Sequence, residues 1–125
     1  MEITALIISD ELSDLNRMIG WFPKGVRVKG LNGFSAVAAA LESEHPKLIA
    51  MRVRDYRDFF RTYESVRTFE PTADIPLVAV TDTAAGDALK ENVILTNTTL
   101  IGSSATDGYM KKIVSDLMGK HDRPE

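Results

Sequence analysis

The sequence predicts a doubly wound α/β sandwich built on one five-stranded parallel sheet. Five short apolar segments alternate with amphipathic stretches along the 125 residues, which is the pattern of repeated strand–helix units. The central segments are apolar at nearly every position, as expected for strands with both faces covered by helices. Right-handed crossovers then place helices on both sides of the sheet.

The first unit joins a buried strand to a helix. Residues 3–8 are apolar and partly β-branched, which favours a strand, and Ser9 or Asp10 is the expected helix cap. The helix that follows carries apolar residues at spacings of three and four, namely Leu12, Leu15, Met18, Ile19 and Phe22. This spacing forms one apolar face, and the helix is expected to end at Pro23-Lys24-Gly25.

The second and third units follow the same pattern. Residues 26–31 include alternating valine and basic residues, which indicates an edge strand with one solvated face. An alanine-rich helix is expected over residues 34–41. Residues 48–53 predict the third strand, and residues 56–69 predict the third helix, which Pro71 stops.

The fourth unit predicts a central strand. Residues 75–80 are apolar throughout, and residues 84–91 are expected to form a short fourth helix. The fifth strand lies within residues 93–101, which are apolar and rich in threonine. The expected order of the strands in the sheet is 2-1-3-4-5, as in flavodoxin-like folds.

The last helix completes the fifth unit. Thr106 or Asp107 is its expected cap and Gly119 its expected stop. Its predicted buried stripe consists of Met110, Ile113, Val114 and Leu117. We expect one domain over residues 1–119, followed by a flexible C-terminal tail at residues 120–125.

Composition excludes several classes of protein. Hydrophobic residues make up 44% of the chain, which suits a domain with its own core. The absence of cysteine excludes disulfides and thiolate zinc sites and fits a cytoplasmic location. No apolar run approaches the roughly 20 residues that a bilayer requires, so no membrane partner is expected. The start, MEITALIISD, has no basic region before its apolar residues, which favours a strand over a signal peptide.

One basic cluster raises the question of nucleic-acid binding. Five arginines fall between residues 52 and 67, while the chain as a whole has a net charge of −3. Asp55, Asp58 and Glu64 lie among them and dilute the positive charge. We therefore interpret this stretch as a solvated helix face whose aromatic residues pack inward, and no nucleic-acid partner is expected.

The expected functional crevice lies at the carboxyl ends of the strands, beside strand one. The chain places Ser9, Asp10 and Glu11 after the first strand and Arg52 near the end of the third. It contains no nucleophile–base pair and no glycine-rich phosphate loop. An enzyme is therefore the least favoured of the function classes, and we expect no catalytic residue, cofactor or metal.

Three stretches resemble the response-regulator receiver family, the CheY-like domains of bacterial two-component signalling. They are ALIISDE at residues 5–11, HPKLIAMR at residues 45–52 and DIPLVAVTD at residues 74–82. The resemblance covers nearly the whole chain and implies a CheY-like (βα)5 fold. The proline-containing apolar run that ends in Thr81 is the closest match.

The resemblance also implies a site, and most of that site is altered. Receivers bind Mg²⁺ through an acidic pair that falls here on Ser9 and Asp10, so one acid is missing, although Glu11 follows. The aspartate that accepts the phosphoryl group in receivers is replaced by Arg52. The threonine or serine after strand four is kept as Thr81.

The fifth strand lacks two further receiver features. The lysine that follows strand five in the family falls near Gly102, and the switch aromatic falls near Thr99. Phosphoryl transfer to a side chain needs a carboxylate nucleophile, which a guanidinium cannot replace. The sequence therefore resembles a degenerate or pseudo-receiver that is not phosphorylated.

Arg52 has two interpretations. In the first, its guanidinium replaces the metal and lies among Asp10 and either Glu11 or Asp82. In the second, it points to solvent with its stem along apolar surface. We favour the ion pair, because a cation then occupies the place of Mg²⁺ beside carboxylates.

Two function classes remain. The first is a signalling or assembly domain that acts through a protein partner or as a homodimer, as the N-terminal part of a larger regulator or of a pilus-assembly ATPase. The resemblance implies contact through the face made by helix 4, strand 5 and helix 5, with candidate residues Leu89, Leu100, Met110, Ile113 and Val114. The alternative is a module that binds a small molecule or anion in the crevice around Arg52.

Overall fold

The structure is a computed structural model that describes residues 3–82, 95 and 97–122. Five strands and four helices alternate along the described chain, together with one short 3₁₀ turn. They are β1 (Ile3–Ser9), α1 (Leu12–Ile19), β2 (Val26–Asn32), α2 (Val37–Glu44), β3 (Leu48–Val53), α3 (Tyr56–Thr68), the 3₁₀ turn Glu70–Thr72, β4 (Leu77–Thr81), β5 (Thr98–Gly102) and α4 (Asp107–Asp122). The predicted fourth helix, residues 84–91, lies outside the described residues, so the predicted fifth helix is α4.

The sheet confirms the predicted fold class. Its five strands are parallel and run in the order β2-β1-β3-β4-β5. The register places Arg52 beside Val80 and Thr81 beside Gly102. β2 lies at an edge, and its burial alternates over most of its length, as the sequence predicts.

Successive residues of the central strands face opposite layers, which is the geometry of a pleated strand. Leu6 and Ile8 of β1 join the core cluster that also contains residues of α2 and α3. Ile7, between them, joins the cluster that also contains residues of α1 and α4. In β3, Leu48 and Ala50 face the α1 and α4 layer. This alternation decides which side chains can meet at the ends of the strands.

Several predicted boundaries are wrong. The residue that caps α1 is Glu11, not Ser9 or Asp10, and its side chain makes no cap hydrogen bond. Within α1, Leu12 and Ile19 are exposed rather than buried, because the helix rests on the sheet through Leu15 and Met18. β4 begins at Leu77, two residues later than predicted, because Pro76 has no N–H to donate to the sheet.

Two helices also differ from the prediction. α2 begins at Val37 instead of residue 34, because the turn through Gly33, with its φ of 109°, extends over the residues that follow. α4 continues through Gly119 to Asp122. Gly119 does not adopt a positive φ, and a glycine ends a helix chiefly through that conformation. Thr106 caps α4 as predicted, since its Oγ1 accepts a hydrogen bond from the N–H of Tyr109 at 3.1 Å. Within the described residues, no helix is long and apolar enough to cross a bilayer.

Candidate functional site at the carboxyl edge of the sheet

Arg52 occupies the centre of the carboxyl edge, between β1 and β4. Its Nη2 donates to Asp82 Oδ1 at 2.7 Å, and its Nη1 donates to the carbonyl oxygens of Val53 at 2.9 Å and Val80 at 3.3 Å. Its side chain is only 14% exposed, whereas that of Asp82 is 51% exposed. The guanidinium therefore binds backbone carbonyl groups at the ends of β3 and β4 and pairs with an exposed carboxylate.

The predicted acids are divided between two arginines. Asp82 is one of the three acids expected around Arg52, but Glu11 pairs instead with Arg54, at 3.0 Å between Oε2 and Nη2. Asp10 makes no hydrogen bond or ion pair with any described residue. The expected pairing of Arg52 with Asp10 is wrong because the two side chains lie on opposite faces of the sheet. Asp10 shares the face of Leu6 and Ile8, which is covered by α2 and α3. Arg52 shares the face of Leu48 and Ala50, which is covered by α1 and α4.

Arg54 joins α1 to the loop after β3. Its Nη1 lies 2.8 Å from Asp14 Oδ2, and the hydroxyl of Ser9 donates to the same oxygen at 2.7 Å. Ser9, which is fully buried, also accepts a hydrogen bond from the N–H of Glu11 at 3.2 Å. Sequence reasoning missed this role of Arg54. The signal was available, because residues 52 and 54 share the two-residue period of a strand and so point to the same side.

Two carboxyl groups at this edge have shifted pKa values. Burial alone would raise the pKa of Asp14, but hydrogen bonds from Arg54 and Ser9, followed by the charge of Arg54, lower it below its ordinary value. The hydrogen bond from Arg52 and then its charge lower the pKa of Asp82. Both acids are therefore held in their charged form by internal cations.

The remaining predicted site residues lie at the ends of β4 and β5. Thr81 is buried, and its carbonyl oxygen accepts a hydrogen bond from the N–H of Ser103 at 3.0 Å. Gly102 ends β5 beside it, with open space where a side chain would lie. The register thus brings Arg52, Thr81 and Gly102 to neighbouring strand ends.

The residues at this edge do not fit a divalent cation. A hard cation such as Mg²⁺ requires several free oxygen ligands. Here Glu11 and Asp14 are bound to Arg54, and Asp82 is bound to Arg52. Among the described residues, no group of three or more His, Cys, Asp or Glu side chains is placed to hold a metal.

The cavity beside Arg52 is small. Its volume is about 30 Å³, close to the share of one water molecule in the liquid. Trp21 and Met110 form part of its wall, together with Asp14 and Ser103. A ligand larger than a water molecule would have to displace side chains to reach the guanidinium.

The predicted interaction face is only partly exposed. Leu89 lies outside the described residues. Met110 and Val114 are 1% and 0% exposed and belong to the core between the sheet and α4, so their expected place on an interaction face is wrong. Leu100 and Ile113 are half-buried. Tyr109, which sequence reasoning did not select, is 51% exposed and is the large apolar side chain that α4 presents to solvent.

The comparisons with known proteins give the fold and no family. No family model matches the chain, and no curated protein matches it. Solved structures of response regulators are similar to it. A response regulator from Thermotoga maritima is 13% identical, with a TM-score of 0.73 over 95% of this chain and 99% of that one. The chemotaxis response regulator CheY4 of Vibrio cholerae is 12% identical, with a TM-score of 0.70 over 94% of this chain and 99% of that one.

A protein without natural ancestry has a similar fold. A de novo designed Rossmann 2x3 protein is 10% identical, with a TM-score of 0.67 over 98% of this chain and 94% of that one. Identities this low show a shared fold alone, and a fold by itself does not determine a function. The chain therefore has the CheY-like, flavodoxin-like fold, and its function must be argued from its own residues.

Proposed function

We propose that this chain is a receiver-like signalling or assembly domain that acts through protein–protein contact and is not phosphorylated. The single observation that carries the proposal is the position of Arg52. It stands where the resemblance to receivers places the phosphoacceptor aspartate, and its guanidinium is bound to Asp82 and to two carbonyl oxygens. In this proposal the domain belongs to a larger regulator or assembly protein.

The chemistry of the edge supports this proposal. A guanidinium has no lone pair with which to attack a phosphoryl group. Of the carboxylates near this position, Asp82, Glu11 and Asp14 are already neutralised by Arg52 and Arg54. Asp10, the remaining acid of the receiver pair, faces the α2 and α3 layer instead. Basic side chains therefore stand in the places of both the nucleophile and the cation that phosphoryl transfer requires.

Intact-mass measurement tests the absence of phosphorylation. The protein is incubated with Mg²⁺ and acetyl phosphate, and separately melted with Mg²⁺ and beryllofluoride. We expect no added phosphoryl group and no shift in melting temperature. A receiver with its aspartate intact, treated in parallel, controls for active reagents. A gain of one phosphoryl group that disappears in Asp55→Asn or Asp82→Asn would contradict the proposal and identify the acceptor.

The contact surface of the proposal lies on α4. Tyr109, Lys112 and Asp116 are exposed at spacings of three and four, so they share one side of the helix with half-buried Ile113. We name these four residues the α4 stripe. It combines an aromatic ring with both signs of charge, which suits a two-fold contact in which the basic residue of each copy meets the acidic residue of the other.

Light scattering tests the homodimer form of the proposal. We expect the molar mass to rise with protein concentration and Tyr109→Glu to prevent this rise. Tyr56→Glu is the matched control, since Tyr56 is 46% exposed but lies on α3. A molar mass that stays that of one chain at every concentration would contradict self-association, and equal effects of the two variants would contradict the α4 stripe.

The anion-binding alternative is less well supported. Arg52 already donates to three oxygens, and the cavity beside it holds about 30 Å³. An anion would have to break the pair with Asp82 and open the edge.

A further inference from the structure

A second and larger cavity lies between α2 and α3, on the other face of the sheet. Its volume is about 700 Å³, within the roughly 300–1,000 Å³ of small-molecule sites. We name it the α2–α3 groove; its walls are formed by Asp10, Gly33, Phe34, Ser35, Val37, Ala38, Asp58, Arg61, Thr62, Glu64, Ser65 and Thr68. It shares no lining residue with the cavity beside Arg52.

The charged side chains of the groove have no partners within the described residues. Asp10, Asp58, Arg61 and Glu64 form no ion pair there. Their neighbours differ, since Arg54 pairs with Glu11 and Asp14, and Arg57 pairs with Asp55. The carboxyl edge thus pairs its arginines internally, and the groove beside it leaves three carboxylates and one guanidinium available to a ligand.

The environment of Asp58 favours a cation. Asp58 is half-buried, and burial raises its pKa, followed by repulsion from Asp10 and Asp55. The nearby charges of Arg61 and Arg57 do not offset this rise. A ligand ammonium group between Asp10 and Asp58 would relieve the repulsion directly.

The spacing of opposite charges defines the ligand further. Asp58 and Arg61 are three residues apart on α3, which brings their Cβ atoms to roughly 5–6 Å. In an α-amino acid the ammonium and the carboxylate are bonded to the same carbon atom and lie closer together than these Cβ atoms, so the flexible side chains of Asp58 and Arg61 must converge on them. A purely anionic ligand would face three carboxylates, and a purely cationic one would leave Arg61 without a partner, so a zwitterion whose carboxylate reaches Arg61 fits best.

The opposite wall is apolar. Phe34 is half-buried and packs against the core cluster, and Val37 is 3% exposed in the same layer. Ala38 follows on α2 and leaves room above them, because its side chain is small. This wall offers an aromatic and aliphatic surface to the side chain of a ligand whose charged groups contact α3.

We propose that the α2–α3 groove binds a small zwitterion of the α-amino acid type with an apolar side chain. Its ammonium group lies against Asp10 and Asp58, its carboxylate against Arg61, and its side chain against Phe34. This inference does not rest on the proposed function: of the groove residues only Asp10 belongs to the receiver-like site, and it has no contact with Arg52.

Titration followed by amide chemical shifts tests the proposal. The ligand is L-phenylalanine, and two analogues each lack one charged group: phenethylamine has no carboxylate and 3-phenylpropionate has no ammonium. We expect saturable shifts in residues of the groove with phenylalanine, and binding weaker by about tenfold or more for each analogue. Asp58→Asn and Arg61→Gln should weaken phenylalanine binding by a similar factor, because each removes one charged contact.

The matched control is Arg57→Gln, which removes an arginine of the same helix outside the groove and should leave binding unchanged. The three substituted side chains lie on or near the surface, and a melting curve of each variant verifies that it folds. Absence of saturable shifts up to roughly 10 mM phenylalanine would overturn the proposal. Binding that Asp58→Asn and Arg61→Gln leave unchanged would overturn it equally, as would equal binding of the three ligands.

Discussion

Replacing Arg52 with methionine isolates the contribution of its guanidinium, because methionine keeps an unbranched apolar stem in the same place. The substitution removes the hydrogen bonds to Val53 and Val80 and the ion pair with Asp82. Asp82 is 51% exposed, so the ion pair contributes at most about 1 kcal/mol. Each hydrogen bond to a carbonyl oxygen contributes about 1 kcal/mol. The expected loss in the free energy of unfolding is therefore about 2–3 kcal/mol.

This loss converts to a measurable change in melting temperature. For 125 residues the entropy of unfolding is about 0.26 kcal/mol/K, so 2 kcal/mol lowers the melting temperature by about 8 °C. Circular dichroism measures the change in secondary structure. Urea titration followed by the fluorescence of Trp21, the one tryptophan of the chain, gives the free energy.

Two variants control the interpretation. Asp82→Asn removes the exposed partner and should cost less than about 1 kcal/mol. Arg57→Met removes an arginine of an exposed pair and should leave the melting temperature unchanged. A melting temperature of Arg52→Met within about 2 °C of the parent would refute the reasoning, since it would mean that Arg52 only covers apolar surface. An equal loss in Asp82→Asn would assign the stabilisation to the ion pair alone.

Three further substitutions test other parts of the structure. Because folding lowers the pKa of Asp14, this residue stabilises the protein above its ordinary pKa, and the stabilisation is lost as the pH falls through the folded value. Asp14→Asn, which also loses the pair with Arg54, should therefore remove part of the decrease in the free energy of unfolding between about pH 5 and pH 2, as measured by urea titration. His45 ends α2 with a φ of 44°, so His45→Gly should raise the free energy of unfolding by about 0.5–1 kcal/mol, whereas His45→Ala should not. Phe59 is fully buried, so Phe59→Ala should lower the free energy of unfolding, measured by urea titration, by about 3–5 kcal/mol. A loss below about 1 kcal/mol would contradict its place in the core.

The fold could be predicted because periodicity and burial agree along the chain. Both predicted bounds of β3 are correct, since a buried parallel strand is apolar on both faces and is bounded by polar residues. Bounds that depend on backbone conformation were not predictable in the same way. The sequence shows that Gly119 is a glycine, but not that it keeps a helical φ, and only a positive φ would have ended α4 there.

The site was predicted in position and only in part in its contacts. Strand order alone brings Arg52 to the rim beside Asp82. The partners of Arg54 depend on the placement of α1, which begins two residues before Asp14, and this placement follows from packing rather than from the local sequence. The alternation of side chains between the two faces of β1 and β3, in contrast, was available in the sequence and would have placed Asp10 and Arg52 on opposite faces.

Two arginines fix the electrostatics of this edge in a way that a bound metal does not. A metal ion can leave and return, so a site that depends on it exists in two states. Arg52 and Arg54 are covalent parts of the chain, remain charged at every ordinary pH, and keep Asp82, Glu11 and Asp14 neutralised in a single arrangement. If the domain transmits a signal, as we propose, its two states must then differ in whether a protein partner is bound. Arg52→Met is informative for this reason as well: if it disturbs the edge without changing the concentration dependence of the molar mass, contact through the α4 stripe is independent of the carboxyl edge.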